Sequence, residues 1–253
     1  MERLTKVLKD GVKRGPRCKC AYQGCDETIK KVAHVRPKFK VHVPVNAPMP
    51  NLAAYCAKHR IEIRNKFIWG ILQPGDVAAQ KGSGPIYWML SRLMSPSTDR
   101  FHHFLLWRPL KDGDWVILES ISHGISVGKL SLYNGDDVKF YRVANATPQQ
   151  RQDAPEALLN YARCNYDRLL EVKLALQLVF WILPKMIFID RKVRRIDAKY
   201  VHYRTDNAFL CTEAVQRAYC CVGFHIVPDD ILPVPASFKK YGKLDLILET
   251  TQL

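Results

Sequence analysis

No internal repeat, no low-complexity tract and no apolar run long enough to cross a bilayer occur in these 253 residues. The first two absences exclude solenoid arrays and linker-like chains. The third follows from the longest apolar stretch, Leu174-Ala-Leu-Gln-Leu-Val-Phe-Trp-Ile-Leu183, which lies between Lys173 and Pro184. It falls short of the roughly 20 residues a spanning helix needs. It reads as a buried helix, with a short strand over residues 184–189; a membrane-facing or acyl-binding surface is the sharper alternative. The opening residues, Met1-Glu-Arg-Leu-Thr-Lys-Val-Leu-Lys-Asp10, lack the apolar core and small-residue cleavage site of a signal peptide. The expectation is therefore a cytoplasmic protein, with virion association left open. Aromatic–basic interleaving and a recognition-helix pattern are also missing, which counts against a nucleic-acid reader.

Acidic residues are scarce: 24 Asp and Glu face 39 Lys and Arg, a net charge of +15. The imbalance is concentrated. Residues 1–70 hold 16 Lys and Arg against 5 Asp and Glu, a net +11. Such an end can meet an anionic polymer or lipid, or simply form a solvated face. Hydrophobic residues make up 47% of the chain, enough for a sizeable core.

The eight cysteines fall at 18, 20, 25, 56, 164, 211, 220 and 221. In a reducing compartment they read as metal ligands or catalytic groups more readily than as disulfides. Residues 17–60 combine cysteines, Gly24 and four prolines between 37 and 50 with little periodicity. A segment of that kind needs a metal to hold it. Cys20 and Cys25, then Cys56 and His59, form two short-spaced ligand pairs suited to opposite edges of a tetrahedral, structural zinc. Cys18 competes with Cys20, and His34 or His42 can stand in for His59. The expected division is a basic zinc-binding module over 1–66 and a globular domain over 67–253.

Within the globular part, Pro74-Gly75 turns into a short strand, and residues 86–94 carry a helical rhythm. Strands are expected around 101–107 and 115–120, with Pro109-Leu-Lys-Asp-Gly-Asp114 between them, and again near 124–131 and 137–143. Thr147 caps and Pro148 opens a helix reaching about 164. A further helix covers about 167–183, and another begins near Cys211 and ends near Val222-Gly223. The fold class is α+β, an antiparallel sheet packed on helices.

Cys211 sits in the first turn of its helix, where unpaired N–H groups carry partial positive charge and favour thiolate. Cys164, Cys220 and Cys221 lack that position and read as core. With the hairpin apex near Lys111, His103 falls opposite Glu119, their Cβ atoms roughly 5 Å apart. A carboxylate there orients an imidazole and stabilises its charged form. His102 then faces the other way. The arrangement is one of nucleophile, base and orienting acid. Taken singly, a helical cysteine or a strand histidine is more often structural.

Six pieces stand in order: Leu72-Gln-Pro-Gly-Asp-Val-Ala-Ala79, Phe101-His-His-Phe-Leu-Leu-Trp107, Ile117-Leu-Glu-Ser-Ile-Ser-His-Gly-Ile-Ser-Val-Gly-Lys-Leu130, Asn165-Tyr-Asp167, Phe209-Leu-Cys-Thr-Glu-Ala-Val215 and His225-Ile-Val-Pro-Asp-Asp230. Over about residues 70–250 this resembles the circularly permuted branch of the NlpC superfamily, the papain-like group with YiiX/YebB-type members. The resemblance implies a permuted papain-like domain with Cys211 as nucleophile, His103 as base and Glu119 as third residue. It implies hydrolysis or acyl transfer at an amide or ester carbonyl. A peptidase or amidase acting on a peptide or peptidoglycan-like amide is the first expectation. A lipid-directed acyl hydrolase or acyltransferase, and a catalytically silent nucleic-acid- or virion-associated binding protein, are the alternatives. Thr212 stands where the family often has Ser after the cysteine, and His102 where a small residue often precedes the base.

Overall fold

The structure is a computed structural model, and it describes residues 18–19, 21–25, 28–29, 39–42, 57–84, 88, 91, 98–121, 123–134, 136–162, 164–166 and 208–251. Among them, seven strands form one wholly antiparallel sheet: β3 (Phe39–Val41), β4 (Val77–Lys81), β5 (Arg100–Pro109), β6 (Trp115–Ile121), β7 (Gly124–Lys129), β8 (Asp137–Val143) and β11 (Leu244–Thr251). Their order across the sheet is β3-β11-β8-β4-β5-β6-β7. Two small pairs lie outside it, β1 (Cys18–Lys19) with β2 (Thr28–Ile29), and β9 (Asn165–Tyr166) with β10 (Ala208–Phe209). The expected α+β class is the observed one.

Alternation along the central strands sends successive side chains to opposite faces, and both faces are covered. On one face Val77, Leu105 and Leu118 meet α2 (Pro148–Leu159) and α3 (Cys211–Cys221) through Ala154, Leu158, Ala214, Val215, Ala218 and Tyr219. The short α4 (Pro235–Tyr241) adds Phe238 to this layer. On the other face Ala78, Phe104, Leu106, Ile117 and Phe140 meet Ile68 and Trp69 at the end of α1 (Ala57–Trp69). The Trp115 indole N–H donates to the Trp69 carbonyl at 2.9 Å and fixes that helix end to the sheet. Strand β3 and helix α1 start within residues 1–66, so described parts of that stretch pair and pack with the sheet.

Local chemistry accounts for the joints. At the start of α2, Thr147 Oγ1 accepts from Gln150 N–H at 3.1 Å, and Gln150 Oε1 accepts from Thr147 N–H at 2.9 Å, a reciprocal cap ahead of Pro148. Inside α2, Pro155 has no N–H to offer the Arg151 carbonyl one turn back. Gly75 approaches at that carbonyl. Its φ is +78°, and a Cβ there would lie 2.2 Å from Arg151 O, so glycine is required twice over. Beside it the fully buried Asp76 carboxylate accepts from Arg142 Nε at 2.9 Å and Nη2 at 2.8 Å, a two-pronged grip across strands. Tyr219 O–H reaches from α3 to the Gly75 carbonyl at 2.6 Å. The Pro74-Gly75-Asp76 turn thus ties α2, α3 and the sheet together.

The β5–β6 hairpin departs from the expected register. Pro109 faces Trp115 and Arg108 faces Val116, so the apex is at Asp112 rather than Lys111. That difference alone moves the register by two residues and leaves the faces unchanged. A β-bulge then leaves Trp107 without a partner, and beyond it Leu106 faces Ile117 and Phe104 faces Glu119. The extra residue inverts the faces. Glu119 shares its face with Phe104 and His102, not with His103.

Candidate active site

Cys211 opens α3 at the end of the sheet, directly after the β10 strand. The residue at the helix cap is Leu210, with extended backbone and no side-chain oxygen to occupy the first-turn N–H groups. Glu213 Oε2 instead reaches back to the Leu210 N–H at 3.4 Å. The Cys211 thiol donates to the Phe101 carbonyl at 3.3 Å, which sets the sulfur against the first residues of β5. It is buried, with 8% of the residue exposed.

The two residues that follow Phe101 are the histidines. His102 Nε2–H donates to Glu119 Oε2 at 2.8 Å, and the Tyr133 hydroxyl lies 3.0 Å from the same nitrogen. Tyr133 O–H donates to the same carboxylate oxygen in a short bond. Tyr133 belongs to a single 3-10 turn, Leu130–Tyr133, that follows β7 and stacks its ring on Phe104 at 4.6 Å. Gly128 leaves the room this needs, since a Cβ there would lie 3.3 Å from Glu119 Oε1. His103 points to the α3–α4 side. It packs on Phe238 at 5.6 Å between ring centres, and its Nδ1 is buried with no hydrogen-bond partner among the described residues.

The expected His103–Glu119 pair is therefore corrected to His102–Glu119, and the cause is the bulge at Trp107. Both imidazoles still interact with the Cys211 sulfur. Burial works to raise the thiol, but the hydrogen bonds and charge of His102, then of His103, outweigh it and bring it down to about 6. Burial works to lower His102, but its bonds to Cys211 and Glu119 carry it up to about 9. Glu119 is held below the ordinary carboxylate range; burial opposes this, and the bonds from His102 and Tyr133 prevail. Tyr133 is raised, by burial first and by the Glu119 carboxylate next. Hydrogen bonds thus link the Tyr133 phenol, the Glu119 carboxylate and the His102 imidazole, with the Cys211 thiol beside them. Sequence reasoning missed Tyr133, because nothing in Leu130-Ser-Leu-Tyr133 advertises a turn that folds back onto Glu119.

Of the expected zinc ligands, Cys20 and Cys56 lie outside the described residues, as do Cys18's side chain and His34. Cys25 ends a turn in which its N–H donates to the Tyr22 carbonyl at 3.1 Å, with Gly24 at φ +79°. The Tyr22 ring lies flat on His59, centres 3.9 Å apart and planes 2° apart, so this knuckle rests on the start of α1. His42 lies elsewhere, 3.9 Å from Glu249 on β11. The apolar residues 174–189 are outside the described part. No helix among the described residues is long and apolar enough to cross a membrane.

No family model and no curated protein matches the chain. Among solved structures, the crystal structure of metalloprotein YiiX from Escherichia coli O157:H7, DUF1105, is similar with a TM-score of 0.45 and 12% identity, over 69% of this chain and 96% of that one. At that level the likeness is one of outline, and the functional reading stands on this chain's own residues.

Proposed function

We propose that the chain is a cysteine hydrolase of the permuted papain-like kind, cleaving an amide bond through Cys211, His102 and Glu119. The observation that carries this reading is the 2.8 Å contact of His102 Nε2 with Glu119, made beside a thiol at a helix start. With Nε2 committed to the carboxylate, Nδ1 is the nitrogen left to serve the sulfur. The Cys211 thiolate attacks the carbonyl carbon of the substrate. The oxyanion that forms is met by the Cys211 N–H, a first-turn donor that no side chain among the described residues occupies. His102 then gives its proton to the departing amine, leaving a thioester. Water attacks the thioester as His102 takes its proton, and the acid product leaves with Cys211 restored. A peptide or peptidoglycan-like amide is the substrate class. Zinc held by Cys20, Cys25, Cys56 and His59 is structural in this reading, since four protein ligands leave no position for water.

The experiment is labelling of the full chain with a small electrophilic probe, the adduct located by peptide mass spectrometry. The adduct is expected on Cys211 and absent in Cys211→Ala. Undiminished labelling in that variant overturns the assignment. The burial of Cys211 favours, as a second reading, a silent binding protein that keeps the fold. It requires Cys211 to react no faster than Cys220, and binding through the basic N-terminal stretch that weakens steeply with salt.

A further inference from the structure

The far end of α3 carries a second group of chemically capable side chains. Cys220, His225 and Asp229 each offer one ligand atom, and the three atoms lie within 4.8 Å of one another. Cys220 Sγ is 3.5 Å from His225 Nδ1, and His225 Nδ1 is 2.5 Å from Asp229 Oδ1. The loop that brings them together is built rather than draped. Gly223, at φ +74°, ends the helix, and Phe224 N–H returns to the Tyr219 carbonyl at 3.0 Å. Gln216, one turn before Cys220, then grips the backbone of Val227 at both ends: its Nε2–H donates to Val227 O and its Oε1 accepts from Val227 N–H, each at 3.1 Å. That clamp is buried and lies between His225 and Asp229 in the chain, so both side chains return over Cys220. A cavity of about 190 Å³ adjoins them, lined in part by Gln216, Arg217, Cys220 and Asp229.

We propose that Cys220, His225 and Asp229 form a binding site for a borderline-soft divalent cation, zinc by preference. One thiolate, one imidazole and one carboxylate are a donor set zinc accepts, with a fourth position left for water on the cavity side. The spacing fits. Ligands at about 2.0–2.3 Å around a tetrahedral ion stand roughly 3.3–3.8 Å apart, and the sulfur and nitrogen already do. The nitrogen and the carboxylate oxygen now share a proton. The cation takes that proton's place, so these two atoms part by about 1 Å, and the thiol proton is released as well. The Asp229 side chain is exposed, so a rotation about its own bonds makes this adjustment. The site is distinct from the Cys211 centre, nine residues and about 13 Å away along the helix. It is distinct too from the N-terminal knuckle.

The test is zinc protection read residue by residue on the full-length protein, using alkylation mapped by mass spectrometry. Equimolar zinc is expected to slow alkylation of Cys220 about tenfold or more, while magnesium does not. The neighbouring Cys221, which is exposed, keeps its rate and serves as the internal control. In His225→Gln with Asp229→Asn the protection is lost. Equal Cys220 rates with and without zinc overturn the proposal. So does protection that survives the double substitution. Cys211 and Cys25 report in the same digest, so zinc captured at either of the other two places registers on its own cysteine.

Discussion

The two ends of α3 present the same residue in opposite states. Cys211 begins the helix, with two imidazoles against its sulfur, and its thiol is drawn down to about 6. Cys220 lies in the last turns of the same helix, where burial and then the Asp229 carboxylate push its thiol up. Neither difference belongs to cysteine itself. The helix start supplies positive potential, and β5 supplies donors; at the helix end burial and the Asp229 carboxylate outweigh what Arg217 and Gln216 offer the sulfur. One end favours the thiolate, as the proposed reaction requires. The other holds a thiol that gives up its proton less readily than a free cysteine.

Removing the nucleophile breaks this contrast most completely. Cys211→Ala is expected to abolish probe labelling and turnover, a loss of at least about 10⁴-fold, whereas Cys220→Ser leaves both within about twofold. A labelling assay with mapped adducts checks both. The next largest effect asks which histidine does the work. His102→Ala makes the Cys211 end resemble the Cys220 end and is expected to slow turnover about 10²–10⁴-fold. His103→Ala removes only the second contact to the sulfur and is expected to cost about tenfold. Steady-state rates of the two variants decide it: a larger loss at His103 returns the base role to the residue read from the sequence.

The contrast also has a pH signature. A thiol lowered to about 6 is ionised above that value, and an imidazole raised to about 9 stays protonated below it. The thiolate–imidazolium pair is therefore present between about pH 6 and 9. Below the window the sulfur is protonated; above it the proton donor for the leaving amine is gone. The rate is expected to fall about tenfold per pH unit beyond each limb. Replacing Glu119 with Gln removes the charge that helps hold His102 up, so the alkaline limb moves to lower pH while the acid limb moves less. A flat profile from pH 5 to 9 breaks the pairing of Cys211 with His102.

Legibility in the sequence followed the range of the interaction. The cap at Thr147 and Pro148, the Gly75 turn and the helix start at Cys211 are written in contiguous residues, and they are found where the residues place them. The choice between His102 and His103 was not legible, because it depends on one unpaired residue, Trp107, five positions away. Alternation makes any single insertion invert the faces, and no side-chain pattern in Phe101-His-His-Phe-Leu-Leu-Trp107 announces a bulge. Glu119 was placed by its strand, and only its partner changed. Tyr133 was invisible for a different reason: its position rests on a 3-10 turn and a ring stacked on Phe104, both tertiary outcomes. The Cys220 cluster joins residues nine positions apart through a Gln216 clamp that composition does not reveal.

The smallest expected effect concerns that missed tyrosine. Tyr133 bonds the Glu119 carboxylate and lies against the His102 ring, and it acts on the sulfur through them, so it is a positioning residue. Tyr133→Phe keeps the ring on Phe104 and deletes one donor. Glu119 then loses a hydrogen bond that stabilises its charge, and its carboxyl moves up toward the ordinary range. The His102–Glu119 bond remains, so His102 keeps its ionic partner and the alkaline limb of the rate profile stays within about half a unit. The rate itself is expected to fall about three- to tenfold, as the imidazole loses one of the two groups that fix its orientation. Glu119→Gln and Tyr133→Phe thus separate charge from orientation: the first shifts the alkaline limb, the second lowers the plateau. A Tyr133→Phe profile with a displaced alkaline limb would mean that the phenol, not the carboxylate, sets the charge on His102, and the distinction between the two ends of α3 would then rest on Tyr133.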